Sequence, residues 1–439
     1  MKCCFQFIHF PAARALSLCA LFFFVPLVNA ETREPEITTT PNTTAASTTP
    51  NTVNTTAPEK ETPKTDWAEA ADKATGSLLK EFWNRSGHYF NDENGGSTRF
   101  NYWPQAHAMD VIIDAWLRTK DSKYSDYFEP WYHGIRKKNG NRYWNIFFDD
   151  MEWIALTFLR LHEATGEARY LESARKLWEH IQKAWDPENG GLAWKADHLW
   201  SKNACSNGPG SILASRLYQI SRDEKELEWA KKIYQWEKDH LFDPETGAIT
   251  DHYNERTKRK AGVPLSYNQG TFLGAAFELY QITGEAGYLR DAEKAATFTI
   301  TSRSTLDRRN GILRDEGRGD GGLFKGIFFR YFLLLMQEKA LKPELRDQYR
   351  QFLYHNAEVL WSRGTDPELL LFSPAWTRPP GPTTQLTSQT SACMLLEAIA
   401  SYEKTIRESF QTDSIQIART KLAQWFNTHR IAIVQREQS

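Results

Sequence analysis

The stretch Thr165-Gly-Glu-Ala-Arg-Tyr-Leu-Glu-Ser-Ala-Arg-Lys176 decides the fold, because the chain repeats it. It recurs as Thr283-Gly-Glu-Ala-Gly-Tyr-Leu-Arg-Asp-Ala-Glu-Lys294, and Ser221-Arg-Asp-Glu-Lys-Glu-Leu-Glu-Trp-Ala-Lys-Lys232 takes the same role between them. The spacing of roughly 55 to 60 residues is that of two helices with their loops. The sequence therefore predicts a chain built from helical hairpins.

The two helices of each hairpin differ in polarity. One is amphipathic and rich in charge, which predicts an outer position with one face in water. The other is richer in Ala, Gly and apolar residues, which predicts burial on most faces. Because the two kinds alternate six times, we predict an all-α fold, an (α/α)6 toroid of six helical hairpins. The inner candidates are 104–118, 150–164, 208–220, 268–282, 322–338 and 387–402, and the outer ones are 66–84, 122–136, 167–184, 223–240, 285–300 and 342–361.

Other structure is expected only at the edges of this ring. Small β-hairpins are predicted in the rim loops at 191–194 and 247–250, each after an Asp-Pro-Glu turn. A further helix after Gln411 is expected to pack outside the ring or to extend it.

The first 65 residues are predicted to lie outside the folded domain, which we place at 66–439. Residues 1–30 have the pattern of a signal peptide, with a short apolar run that ends at Val28-Asn29-Ala30, a typical cleavage sequence. Residues 31–65 are rich in Thr and Pro and hold too few apolar side chains to fold, which predicts a disordered linker. We expect a secreted, periplasmic or cell-surface protein without a membrane span in the mature chain, and a signal anchor stays an alternative.

Composition restricts the partners. The formal net charge of the 439 residues is -1, which argues against nucleic acid or a membrane surface as a partner held by charge. Aromatic residues make up 13% of the chain and include 16 Trp, more than core packing calls for. Such side chains suit stacking on the apolar faces of sugar rings. Core packing is the alternative use of these rings, and we expect a monomer.

The loops that precede the inner helices carry amides, hydroxyls and aromatic rings, and in a toroid they meet at one end. Functional residues favour loops held by a rigid scaffold, so we predict a binding cleft there. Helix capping could account for each loop taken alone. Capping does not require Gln, whereas sugar recognition uses paired donors and acceptors. The predicted substrate-binding residues are Tyr102, Trp103, Gln105, Trp194, Asn207, Tyr267, Asn268, Gln269 and Gln389.

Two adjacent carboxylates, Asp149 and Asp150, stand at the start of a predicted inner helix between apolar residues. Mutual repulsion raises one pKa, while the helix N-terminus stabilises the other group as an anion. Glycoside hydrolysis needs such an unequal pair, and retaining enzymes need it at short separation. A helix N-cap could equally explain one of the two. Glu152 points away from Asp150 and is a reserve carboxylate.

The sequence offers little for a metal or a disulfide. Cys205 and Cys393 are the two cysteines beyond the signal segment; they could form one disulfide or remain buried thiols. His107 and Asp110 share a helix face, but no further ligand stands at suitable spacing. We predict no metal site and assign His107 to a polar contact in the cleft or core.

Three motifs resemble glycoside hydrolase family 76, whose members are α-1,6-mannanases. They are Asp149-Asp150 followed by Met-Glu-Trp-Ile-Ala-Leu156, then Ser206-Asn-Gly-Pro209, then Tyr267-Asn-Gln-Gly270, and the similarity runs from about Trp67 to Lys404. The resemblance implies an endo-acting, retaining hydrolase of α-mannan or manno-oligosaccharides, without metal or organic cofactor. By the family's pattern, Asp149 is the nucleophile and Asp150 the general acid and base.

Three other functions stay open from the sequence. The first is a cell-wall mannosyl transglycosidase of the same family, and the second is a sugar isomerase or epimerase on the same toroid. The third is a mannan-binding protein without catalysis. Release of oligosaccharides from mannan would separate hydrolysis from the last two.

Overall fold

The computed structural model describes residues 65–437, and within them the side chains of 65–411 and 419–421. The predicted signal peptide at 1–30 and all but the last residue of the predicted linker at 31–65 lie outside the described residues. Within the described part, helices dominate and strands are short. Inner helices are α2 (Trp103–Thr119), α5 (Phe148–Thr165), α7 (Ala204–Ser221), α9 (Ser266–Thr283), α11 (Gly321–Met336) and α13 (Leu386–Glu437); outer helices are α1 (Trp67–Phe82), α3 (Ser122–Ser125), α4 (Phe128–Lys138), α6 (Ala168–Ile181), α8 (Glu224–His240), α10 (Ala286–Thr301) and α12 (Pro343–Arg363).

The inner helices form a closed ring. In chain order α2 packs on α5, α5 on α7, α7 on α9, α9 on α11 and α11 on α13, and α13 returns to pack on α2. Outer helices cover this ring: α6 lies on α5, α8 on α7, α10 on α9 and α1 on α13. The predicted (α/α)6 toroid is confirmed, and all six inner helices stand where the sequence placed them.

Small residues let the inner helices approach each other closely, as Gly270 shows. A Cβ atom at this position of α9 would lie 2.7 Å from the Cα atom of Phe328 on α11, closer than real Cβ contacts come. The glycine therefore has a packing reason that outweighs its low helix propensity.

Strands occur only in the rim loops of the described chain, and all pair antiparallel. The hairpins predicted at 191–194 and 247–250 are reduced to single bridges, Trp185 with Leu192 and Phe242 with Ile249. Beyond the first bridge, the backbone of Trp194 pairs elsewhere: its N–H donates to the carbonyl of Ser201, and its carbonyl accepts the N–H of Phe148. The N–H and carbonyl groups of Leu192 and Ile249 face away from their bridge partners and bond to side-chain amides. The strands are β1 (Trp83–Asn84), β2 (Tyr89–Phe90), β3 (Ser201–Asn203), β4 (His252–Asn254), β5 (Arg259–Ala261), β6 (Leu306–Asp307) and β7 (Ile312–Leu313), in the orders β1-β2, β3-β4-β5 and β6-β7.

Two helix predictions need correction. The separate helix expected after Gln411 does not exist, because α13 continues without a break from Leu386 to Glu437. Its sequence holds neither Gly nor Pro, so nothing in it stops a helix. The outer helix expected at 122–136 is divided into α3 and α4. Among the described residues, no helix is both long enough and apolar enough to cross a membrane.

Candidate active site

The N-terminal ends of five inner helices, α2, α5, α7, α9 and α11, and the rim loops beside them surround a cleft of about 420 Å³. Five residues predicted from the sequence line it. The lining residues are Asn101, Trp103, Phe147, Asp149, Asp150, Trp153, Trp194, Asn203, Cys205, Asp251, Tyr267, Asp320 and Phe324.

Asp149 and Asp150 occupy the first turn of α5 without capping it. The N-cap position belongs to Phe147, and no side chain caps this helix. The capping interpretation of the doubled aspartate is therefore wrong. Both carboxyl groups open to the cleft on one side and are enclosed by protein on the others, near the positive end of the helix dipole.

Burial raises the pKa of Asp149 from its usual 3.8 to about 7, and nearby hydrogen-bonding groups limit the rise. Those groups are the Cys205 thiol, the first backbone N–H groups of α5 and the Trp194 side chain. The site therefore contains a carboxyl group that can exist as an anion near neutral pH.

Asp150 holds its proton more strongly. Burial raises its pKa well above the usual value, and the negative charges of Asp149 and then of Asp320 raise it further. A hydrogen bond of 2.6 Å from Nδ2 of Asn145 to Oδ2 of Asp150 opposes this in part. The pair is thus unequal in the direction that acid catalysis with a neighbouring anion requires.

Aromatic side chains form the walls of the cleft, as predicted for Trp103, Trp194 and Tyr267. Tyr267 stacks on Phe324 with ring centroids 3.9 Å apart and an angle of 18° between the planes. Trp194 packs against Phe147 in a tilted arrangement, with ring centroids 5.3 Å apart. These contacts hold flat apolar surfaces in fixed orientation, as sugar rings require for stacking.

Four predicted substrate-binding amides are not among the lining of the cleft. Each is fully buried at the start of an inner helix. Its amide accepts a backbone N–H and donates to a backbone carbonyl of a rim loop, so neither atom is left for a sugar. The pairs are Gln105 with Phe90, Asn207 with Leu192, Gln269 with Ile249, and Gln389 with Phe372 and Leu370.

Two more predicted residues lie just behind the lining. The hydroxyl of Tyr102 donates to the backbone carbonyl of Tyr143 at 2.6 Å, which supports the loop before α5. Nδ2 of Asn268 donates to Oδ1 of Asp251 at 2.9 Å, so Asn268 orients a residue that does line the cleft. Neither residue is among the lining of the cleft, and their assignment as substrate-binding residues stays a prediction.

The sequence did not single out two acidic lining residues, Asp251 and Asp320. Asp320 stands in a Gly-rich segment before α11, one of the loops that precede the predicted inner helices, where helix capping could account for it. Asp251 follows a rim bridge at 249 and carries no motif, so no signal could have found it. Both are brought to the cleft by loops from separate hairpins.

Of the remaining candidates, Cys205 lines the cleft, and Cys393, Glu152 and His107 do not. Cys205 and Cys393 are buried free thiols, so the disulfide alternative is wrong. Glu152 is fully buried and does not line the cleft. His107 lies beneath the cleft against Trp153, with ring centroids 4.7 Å apart, and burial followed by the charges of Arg330 and Arg160 keeps its pKa well below the usual value. Within the described chain, no group of three or more His, Cys, Asp or Glu side chains could hold a metal ion.

Comparison with known proteins gives one family match and several similar solved structures. The family model described as glycosyl hydrolase family 76 matches residues 66–413, most of the chain. Among solved structures, the GH76A α-1,6-mannanase from Salegentibacter sp. HEL1_6 superimposes with a TM-score of 0.73 at 41% identity, over 76% of this chain and 98% of that one. The Lin0763 protein from Listeria innocua superimposes with a TM-score of 0.71 at 34% identity, over 77% of this chain and 98% of that one.

Curated relatives are more distant. The mannan endo-1,6-alpha-mannosidase DCW1 of Candida glabrata is 24% identical over 294 residues, which are 60% of this chain and 63% of that protein. Its namesake in Eremothecium gossypii is 24% identical over 304 residues, 62% of this chain and 65% of that protein. The match thus spans less than two thirds of either fungal relative.

Proposed function

Because the chain belongs to glycosyl hydrolase family 76, we propose that it is a retaining, endo-acting glycosidase that cleaves α-1,6-mannosidic bonds in mannan. The observation that carries this proposal is the unequal pair Asp149 and Asp150 at the floor of an aromatic-walled cleft. α-Mannan or a manno-oligosaccharide is the proposed substrate, and the chain is proposed to act outside the cell as a monomer.

In the first step, the carboxylate of Asp149 attacks the anomeric carbon of the mannose residue. The bond from that carbon to the leaving oxygen breaks, and Asp150 donates its proton to this oxygen. The product is a mannosyl ester on Asp149, with Asp150 now ionised. In the second step, Asp150 takes a proton from water as the water attacks the anomeric carbon, which releases the sugar and restores both groups.

The structure supports this division of labour. Asp149 has the lower pKa of the two and lies against Cys205 and Trp194, which favour its anion. Asp150 keeps its proton to higher pH, which a general acid requires. The Salegentibacter enzyme offers a parallel, since an inactive variant of it with two consecutive aspartates replaced by alanine was solved with α-1,6-mannotetrose.

The test uses linear α-1,6-mannan, with product sizing by chromatography and anomer detection by ¹H NMR in the first minutes. We expect a ladder of oligosaccharides that starts as the α-anomer. Absence of any cleavage would remove the proposed function, and a β-anomer at early times would remove the retaining mechanism. Transfer of mannosyl units to added oligosaccharides would instead identify a transglycosidase.

The roles of the two aspartates can be separated with an aryl α-mannoside whose leaving group needs no proton. Asp149→Ala should lose activity on both this substrate and mannan, by about 10⁴-fold or more. Asp150→Ala should lose activity on mannan, yet still form the mannosyl-enzyme from the aryl substrate, and added azide should then accelerate its release. The reverse pattern would exchange the two roles.

A further inference from the structure

Asp320 stands at the start of α11 but does not cap this helix. It stands at the N-cap position of α11, where Asp normally accepts a backbone N–H of the first turn, yet its side chain makes no such bond. Its Oδ1 atom instead accepts a hydrogen bond of 2.9 Å from Nε1 of Trp103, the first residue of α2. Because α2 and α11 are not neighbours in the ring, this bond joins two separate sides of the cleft.

The position of Asp320 is fixed by the backbone around it. The N–H of Gly319 donates to Oε1 of Gln385 at 2.7 Å, and Gly319 has a φ of 66°, a conformation that favours glycine. On the other side, a Cβ atom at Gly321 would lie 2.1 Å from the carbonyl oxygen of Glu316. The fold therefore presents the Asp320 carboxylate to the cleft at a set place.

The Asp320 carboxylate also acts on Asp150 through space. Four groups act on Asp150: Asp149 on the same helix, Asn145 from the preceding loop, Tyr102 from the residue before α2 and Asp320 from the residue before α11. Tyr102 is neutral, because burial and the charge of Asp150 hold its pKa well above the usual value. Asp320 therefore supplies the negative charge that acts on Asp150 from the start of another helix.

We propose that Asp320 is a positioning residue with two effects: it fixes the indole of Trp103 as a wall of the cleft, and it places a negative charge in the same cleft as the Asp150 carboxyl group. This inference rests on the proposed function, in which Asp150 is the general acid. It also gives a physical reason why an Asp at a helix start leaves the helix uncapped.

Asp320→Asn separates the two effects, because the Asn side-chain oxygen can still accept from Trp103 while the charge is gone. The high-pH limb of the kcat/KM profile on α-1,6-mannan should move to lower pH, since Asp150 loses its proton more easily. The low-pH limb, set by Asp149, should stay in place, because Asp320 is not among the groups that shift that carboxyl. KM should remain within about two-fold, as one hydrogen bond is exchanged for another.

Asp320→Ala removes both effects. The high-pH limb should move as in the Asn variant, and KM should rise about five-fold from the loss of one hydrogen bond that holds the wall. Trp103→Phe should raise KM similarly without moving the limb. Adding Trp103→Phe to Asp320→Ala should raise KM no further, since both changes break the same bond.

Asp315→Asn is the matched control, because it removes one negative charge from the same loop outside the cleft and keeps the hydrogen bond to Gly317. Its pH profile and KM should equal those of the parent. The inference is overturned if Asp320→Asn and Asp320→Ala both reproduce the parent profile and KM.

A measurement without substrate separates this inference from the proposed function. Titration of ¹³C-labelled aspartate carboxyl groups by NMR should show Asp150 losing its proton at lower pH in Asp320→Asn than in the parent. An unchanged Asp150 titration overturns the electrostatic effect, even where mannan is cleaved. A shifted titration in a protein that fails to cleave mannan overturns the proposed function and leaves the electrostatic effect of Asp320 supported.

Discussion

At the scale of single residues, the cleft keeps two carboxyl groups in an environment that disfavours their charge. Burial raises the pKa of Asp149 and of Asp150. Such groups lower the free energy of unfolding, because the folded state must hold an anion that water would solvate better. Reactive groups in active sites often destabilise the fold in this way. The cost has a definite pH dependence.

For Asp149 the sign follows from its pKa of about 7 in the folded protein against 3.8 for the ordinary carboxyl group. Between these values the unfolded chain has already released a proton that the folded protein retains, so stability falls as pH rises. Asp149→Asn removes the free-energy cost of ionising this buried carboxyl group in the folded protein. We expect it to raise the free energy of unfolding at pH 8 by about 2 kcal/mol, half of the full linkage value because the group opens to the cleft.

Urea unfolding at pH 8 and pH 5 checks this prediction. At pH 5 the gain should shrink, because Asp149 is largely protonated in the folded protein. Asp366→Asn, a change of the same kind at a turn outside the cleft, is the control and should show no gain at pH 8. An equal effect of Asp149→Asn at both pH values would show that its carboxyl group is not shifted.

At the scale of elements, amides at the starts of inner helices attach the rim loops to the ring. Gln269 on α9 accepts the N–H of Ile249 at 3.2 Å and donates to its carbonyl at 3.0 Å, all buried. The same arrangement recurs on α2, α7 and α13. These side chains therefore serve the sugar site indirectly, by holding the loops that form it.

Gln269→Leu tests this attachment, since it leaves a buried N–H and a buried carbonyl of Ile249 without partners. We expect a loss of about 2 kcal/mol in the free energy of unfolding. Because Asp251 on the same loop lines the cleft, KM for mannan should also rise. Gln281→Leu on the exposed end of the same helix is the matched control and should change stability by less than about 0.5 kcal/mol.

At the scale of the whole molecule, charged side chains cross-link the inner ring at the end away from the cleft. Asp114 on α2 pairs with Arg160 on α5 and, at 2.8 Å, with Arg330 on α11. Arg160 also pairs with Asp110 at 2.9 Å. These groups surround a cavity of about 150 Å³ inside the toroid, and the network joins three helices that are distant in sequence.

Asp114→Asn should weaken the closed ring, because two partly buried guanidinium groups lose a shared partner. We expect a loss of about 3 kcal/mol in the free energy of unfolding, measured with urea. The pH profile of mannan cleavage should not change, since Asp114 stands about three helical turns from the start of α2. Glu69→Gln, which breaks an exposed pair with Lys73, should cost less than about 0.5 kcal/mol. Equal losses in the two variants would contradict a structural role for the network.

The sequence by itself was enough to predict the ring of helices and to select Asp149 and Asp150 as candidate site residues. The alternation of amphipathic and largely apolar helices is a local pattern, and burial of apolar faces allows few arrangements of six such pairs. Motifs that resemble a known family pointed to Asp149 and Asp150, and the aromatic walls Trp103, Trp194 and Tyr267 came from the same loops.

Only the tertiary structure decided which polar side chains face the cleft. Gln269 and Asp320 both lie at the starts of inner helices. The side-chain amide of Gln269 hydrogen-bonds to the backbone of Ile249, whereas the carboxylate of Asp320 accepts a hydrogen bond from Trp103 of another hairpin. Such partners lie tens to hundreds of residues away along the chain, so no local pattern encodes them. A polar residue is available to a ligand only where the folded backbone leaves its hydrogen bonds unused.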